Sequence, residues 1–264
     1  MRSFSMNFCD LPPWVIGSVH FNQKPQPLEI QGVRRSNRQL FERLAALDAP
    51  EARGEQFHDY MDVKFQLHQW EQEASARSRK SLKNSYLRFL RGWMFDSNAV
   101  EGAVLKGWVE SRIGLAPTFH REPIPDIHCE AYYRYTTERM KGTIRTNAIN
   151  DQLDVLFAFA QEELQRRHPG VSHLTLWRGI NDFDEHEVLE EYDRHRYRLQ
   201  LNNLNSFTND FERAWEFGSK VLEVEVPLVK VFFCGDLLPR SLLRGEGELM
   251  VIGGEFDVTV RIGG

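Results

Sequence analysis

The rhythm of apolar positions changes part-way along this chain. Up to about residue 168 they recur at helical spacing, and beyond 171 they alternate with polar residues as strands do. NRQLFERLAALD places Leu40, Leu44 and Leu47 on one helical face. FHDYMDVKFQLHQWEQEASARS keeps the same period, with Phe57, Tyr60, Phe65, Leu67 and Trp70 expected in the core. In SNAVEGAVLKGWVESRIG, Asn98 with Glu101 three residues later predicts a capping box, and Gly114 a helix end. A proline-bounded loop, PTFHREPIPD, leads to a further helix over HCEAYYRYTTERMKG. The clearest amphipathic helix is NDQLDVLFAFAQEELQRRHPG: Asn150 is placed to cap it, Leu153, Phe157, Ala160 and Leu164 share a face, and Pro169-Gly170 ends it.

After this point SHLTLWRGI, QLNNLNSFT, KVLEVEVPLVKVFFCG, GELMVIGG and EFDVTVRI read as strands, with NDFERAWEFG a short helix among them. Short connections with little intervening helix favour an antiparallel sheet over a doubly wound one. The expected fold class is therefore α+β, a single domain over 1–264. An irregular arm spans 1–35, where four prolines at 12, 13, 25 and 27 argue against regular helix. A mainly helical region covers 36–168 and a sheet-rich core 171–264.

Composition narrows the function classes. Hydrophobic residues make up 41% and charged ones 27%, as in ordinary globular chains. A net charge of −5, with basic residues scattered along helices, argues against a nucleic-acid partner. Cys9, Cys129 and Cys234 have no disulfide or zinc spacing, which fits a reducing compartment. No apolar run approaches the roughly 18 residues of a membrane span, and the first residues lack a signal-peptide core. A cytoplasmic protein is expected.

Common catalytic motifs are missing. No glycine-rich dinucleotide or P-loop fingerprint occurs, nor a G-x-S-x-G elbow. HEVLE, from His186 to Glu190, lacks the second histidine of a zinc helix and reads as helix or loop surface. His168, His173, His186 and His195 have no ligand spacing, so no metal is expected. What remains is three polar signatures in the sheet-rich half. Arg178 ends an apolar strand between Trp177 and Gly179; Ser206-Phe207-Thr208 puts two hydroxyls on one strand face; Glu246 and Glu248 flank Gly247 ahead of another strand. Side chains alternate between the faces of a strand, so both carboxylates are expected on one face, about 6 to 7 Å apart. Each signature alone is an ordinary strand end.

Together, and in this order, they resemble the R-S-E signature of arginine-directed mono-ADP-ribosyltransferases. The stretches NFCDLPPWVIGSVHFNQKPQPLEIQGVR, RGWMFDSNAVEGAVLKGWVESRIGLAPTFH and NNLNSFTNDFERAWEFG extend the likeness almost end to end, to the NAD-dependent dinitrogenase reductase ADP-ribosyltransferases. The resemblance implies an ADP-ribosyltransferase-like fold and NAD as a substrate. It implies the nitrogenase iron protein as acceptor, modified on an arginine and thereby inactivated, and a PII-type signalling protein as regulator.

It also distributes roles. Glu248 stabilises the ribose cation, Glu246 orients the acceptor guanidinium and Ser206 orients Glu248. Arg178, Gly179, Ser206, Phe207 and Thr208 complete the NAD site together with Glu248. The loop CGDLLPRSLLRG is expected to hold the acceptor. Phe207 is bulkier than the family's usual central residue. In the helical half Asn98 and Lys106 are further candidates, weighed against a plain helix surface. Two other readings stay open: an NAD glycohydrolase, in which water replaces the arginine, and an inactive module that binds nitrogen-regulatory proteins.

Overall fold

The computed structural model describes residues 7–67, 85–144, 148–243 and 247–262, so Trp70 and Glu246 lie outside the described residues. The N-terminal half is helical: α1 (Pro13–Ile16), α2 (Val19–Gln23), α3 (Val33–Ser36), α4 (Arg38–Ala45), α5 (Pro50–Phe65), α6 (Tyr86–Phe95) and α7 (Val100–Arg112). A two-residue hairpin, β1 (Phe119–His120) with β2 (Glu122–Pro123), precedes α8 (Glu130–Thr143) and α9 (Ile149–Arg167). The sheet half follows with β3 (His173–Ile180), β4 (Glu187–Glu191), β5 (Arg196–Thr208), α10 (Phe211–Ala214), β6 (Lys220–Pro227), β7 (Val231–Cys234) and β8 (Glu248–Ile262).

All pairings are antiparallel, in the order β4-β5-β3-β6-β8-β7. β8 also pairs with β5 along most of its length, so Thr259 faces Arg196 on one side and Glu223 on the other. The strands β5, β3, β6 and β8 thereby close on themselves. Leu153, Phe157, Ala160 and Leu164 are buried as the helical period requires. Gln161 of α9 donates to Val231 O at 2.7 Å, and Phe157 stacks with Phe232 of β7. Phe57 of α5 stacks on Phe159 at 4.1 Å from the other side. The helices thus grip one flank of the sheet.

Several local expectations are corrected. The arm is not irregular throughout: Pro13 occupies the first turn of α1, where a missing N–H costs nothing, and Ser18 caps α2 by accepting from Phe21 N. The arm is tied to β8 by Glu255 N donating to Gly17 O at 2.8 Å and by Asn22 Nδ2 donating to Glu255 O at 2.7 Å. Asn98 and Glu101 form no capping box; Asn98 accepts from Lys106, and Glu101 pairs with Arg88 at 2.8 Å. Asn150 lies inside α9, whose start is set by Ala148 in the left-handed region at φ 49°. KVLEVEVPLVKVFFCG is broken by a 3-10 turn over Leu228–Lys230. GELMVIGG and EFDVTVRI are one continuous strand, because Gly253 leaves the space that Asn202 O fills at the bulge of β5. HEVLE is neither helix nor loop: Glu187–Glu191 forms an edge strand, and His186 just before it is buried.

One ion pair braces the helical half. Arg53 of α5 donates through Nε and Nη2 to the two oxygens of Glu163 on α9, at 2.5 and 2.9 Å, with Glu163 wholly buried. Removing Arg53 leaves the buried Glu163 carboxylate with only the longer pair to Arg167, at 3.9 Å. Arg53→Ala is expected to cost about 3–5 kcal/mol by urea denaturation. Arg38→Ala, which breaks the exposed pair with Glu42, is expected to cost about 0.5 kcal/mol or less. Equal small losses would contradict the bracing role.

Candidate active site

Three strands and one helix bring the candidate side chains together. In the β5–β8 register Thr208 faces Glu248 and Ser206 faces Met250. Directly opposed residues share a face, and so do residues two apart on one strand. Ser206, Thr208 and Glu248 therefore point the same way. Ser206 Oγ donates to Glu248 Oε1 at 2.5 Å. A third group comes from the helical half: Trp93 Nε1 of α6 lies 2.9 Å from Ser206 Oγ and 3.1 Å from Glu248 Oε1, donating to both. No role fell to Trp93 from the sequence, because an indole N–H gains its significance only from what the fold sets against it.

Arg178 enters from β3. Its Nη1 donates to Ser206 O at 3.0 Å and its Nη2 to Glu185 Oε2 at 3.1 Å, while its buried Nε has no partner. Gly179 is required by packing: a Cβ there would stand 2.1 Å from Ala214 O and 3.0 Å from the Phe217 backbone. The turn after β5 delivers those residues. Thr208 Oγ1 accepts from Asp210 N, and Asp210 caps α10 by accepting from Glu212 N and Arg213 N. Phe207 packs in the core with 3% exposure and also reaches the cavity wall.

Around these groups lies a cavity of about 790 Å³, with Trp93, Arg178, Ser206, Arg213, Phe217 and Glu248 among its walls. A second cavity of about 520 Å³ shares Glu185 and His186 with it. Glu185, Arg213 and Phe217, like Trp93, are positioned by tertiary contacts and carry no motif of their own.

Gly247 precedes the strand that carries Glu248. Its φ of +75° is left-handed, and β8 begins only at Glu248. The alternation expected to place Glu246 on the face of Glu248 therefore stops at Gly247, and Glu246 lies outside the described residues.

Burial raises the Glu248 carboxyl above its ordinary value, opposed by hydrogen bonds from Ser206 and Trp93 and by the charges of Arg178 and Arg213. Burial likewise lowers Arg178, while Glu185 and Glu248 hold it up. His186, with neither ring nitrogen partnered, is pushed down to about 3 by burial and by Arg178. Lys106 is not on a helix surface: it is 1% exposed, and burial pulls it down to about 7. Its Nζ donates to Asn98 Oδ1 at 2.9 Å and Phe119 O at 3.0 Å, and sits 6.0 Å from the centre of the Trp93 ring. Asn98 and Lys106 thus back the indole that reaches Glu248. Among the described residues no group of histidines, cysteines and carboxylates could hold a metal ion.

The family described as dinitrogenase reductase ADP-ribosyltransferase (DRAT) matches residues 6–260. The chain belongs to that family. Among curated proteins it is similar to the NAD(+)--dinitrogen-reductase ADP-D-ribosyltransferase of Rhodospirillum rubrum, at 44% identity over 258 residues, covering 96% of this chain and 94% of that one. No solved structure matches. Membership of this ADP-ribosyltransferase family makes NAD the donor substrate to test against the cavity. Its volume lies within the roughly 300–1,000 Å³ of small-molecule sites. Arg178 Nε is an unpaired donor, and Arg213 is a second guanidinium in the wall. Two planar cations suit a pyrophosphate, so the residues present fit the donor.

The charge balance at Glu248 gives a pH test. The ionised form is the one able to stabilise positive charge, so nicotinamide release should fall as pH drops through a pKa above the usual value of about 4.3. Trp93→Phe and Ser206→Ala each remove a donor that favours the charged form. Both are expected to move this acid limb of kcat/KM to higher pH; an unmoved limb, or one displaced to lower pH, would contradict the assignment.

Proposed function

We propose that this chain transfers ADP-ribose from NAD to an arginine of the nitrogenase iron protein, dinitrogenase reductase, releasing nicotinamide and inactivating the acceptor. The observation that carries this reading is the Glu248 carboxylate, held by Ser206 and Trp93 in the wall of a cavity that also presents Arg178. Nicotinamide leaves as a neutral molecule, so the site needs no strong general acid of the kind used in ordinary glycoside hydrolysis. Positive charge develops on the ribose, and a fixed carboxylate lowers that barrier. Ser206 and Trp93 hold Glu248 in one orientation, so little reorganisation accompanies the step. Arg178 and Arg213 bind the phosphates, and Gly179, Phe207 and Thr208 shape the nicotinamide end.

Glu246 answers the acceptor's chemistry. A guanidinium is protonated at physiological pH and is a poor nucleophile. A carboxylate two residues before Glu248 is suited to orienting it and accepting a proton as the new bond forms. The same reading includes a PII-type signalling protein as regulator and a cytoplasmic location. The first comes with the sequence resemblance. Three free cysteines, two of them buried and pushed up to about 12, fit the second.

Two carboxamide variants test the assignment. Glu248→Gln is expected to slow both nicotinamide release and protein modification by about 10²-fold or more. Glu246→Gln is expected to abolish modification of the iron protein, read by mass spectrometry of its peptides, while nicotinamide release is partly retained. Equal loss of both in Glu246→Gln would overturn its acceptor role.

A further inference from the structure

A transferase that modifies a protein must seat that protein against the mouth of its catalytic cavity. One side chain at this mouth stands apart. Phe95, the last residue of α6, is 94% exposed, whereas Trp93, two positions earlier, is 3% exposed. Residues two apart on a helix point to nearly opposite sides. The turn that plants Trp93 against Ser206 and Glu248 therefore swings Phe95 outward at the rim.

An exposed ring leaves a large apolar surface in water, about 150–250 Å² when complete, and aromatic residues are the usual anchors of protein interfaces. Phe217, the other exposed aromatic of the wall, is less exposed at 64% and has its backbone and Cβ packed at Gly179; neither ring has a stacking or cation–π contact among the described residues. Asp96 and Asp182, both exposed, and the half-exposed Glu185 line the same cavity. An apolar anchor beside carboxylates suits a partner that offers a cation next to an apolar patch. Arg91, one turn before Phe95, donates through Nη2 to Leu242 O at 2.5 Å. The end of α6, the turn at 239–243 and the cavity mouth are thus adjoining parts of one face.

We propose that this face is where the acceptor protein docks, with Phe95 as its anchor and Asp96 and Asp182 steering the target arginine inward. The proposal rests on the reading of the chain as a protein-directed arginine transferase, and it adds the helical half to acceptor recognition.

The test is Phe95→Ser in the full chain, with Phe95→Trp as the conservative variant. Three rates are compared: nicotinamide release without acceptor, transfer to the small guanidine agmatine, and transfer to the iron protein at varied concentration. For Phe95→Ser the first two are expected to stay within about twofold, as for other exposed substitutions that leave the fold intact. kcat/KM for the iron protein is expected to fall at least tenfold, mainly through KM, with Phe95→Trp restoring most of it. An unchanged KM for the iron protein would overturn the proposal. So would a parallel fall in all three rates with a raised KM for NAD, which would place the ring on the dinucleotide instead. Failure of the underlying reading is separate, since the unsubstituted protein would then modify neither agmatine nor the iron protein.

Discussion

A single indole N–H joins the two halves of this molecule where the chemistry is expected. Trp93 Nε1 reaches both Ser206 Oγ and Glu248 Oε1 from a helix that is distant in sequence. Burial raises the Glu248 carboxyl, and the donors and cations around it act in the opposite sense, in favour of the ionised form. The catalytic potential of the acid therefore depends on α6 being held against the sheet. The rest of the fold supplies that hold: Arg53 and Glu163 lock α5 to α9, the Phe57–Phe159 stack fills the space beside them, and Lys106 with Asn98 backs the Trp93 ring.

The opposite wall is less fully satisfied. Arg178 gives one Nη to a backbone carbonyl and the other to Glu185, and keeps a buried Nε without a partner. His186, next to Glu185, has both ring nitrogens unpartnered. Buried polar groups that go unsatisfied are costly and tend to mark functional positions. Their gathering beside a cavity that suits a dinucleotide follows naturally if the Arg178 fork serves to bind a pyrophosphate.

Much of this was legible in the sequence where one local rule was enough. HLTLWRGI does form a strand, and Leu153, Phe157, Ala160 and Leu164 are buried as their helical period leads one to expect. Arg178, Ser206 and Glu248 do converge, since antiparallel pairing of β5 with β8 brings two of them to one face. The rules failed where tertiary partners overrode local ones. Asn98 has the residue type and spacing of a cap, yet its side chain is drawn to Lys106, and Lys106 is itself buried against expectation. Glu187–Glu191 has three glutamates among its five residues and reads as helix or loop, yet pairing with Arg198 and its neighbours on β5 makes it a strand. Trp93 has the pattern of one more apolar helix residue; its polar edge matters only because Ser206 and Glu248 lie beside it.

The most direct test is a double-mutant cycle between Trp93 and Glu248, followed by the single-turnover rate of nicotinamide release. If Trp93 acts through Glu248, Trp93→Phe slows release markedly in the native background and by less than about twofold in Glu248→Gln, since neighbouring groups that act as a unit are strongly non-additive. The same fold-loss in both backgrounds would show that the indole acts elsewhere, and would contradict the central role of its hydrogen bonds to Ser206 and Glu248.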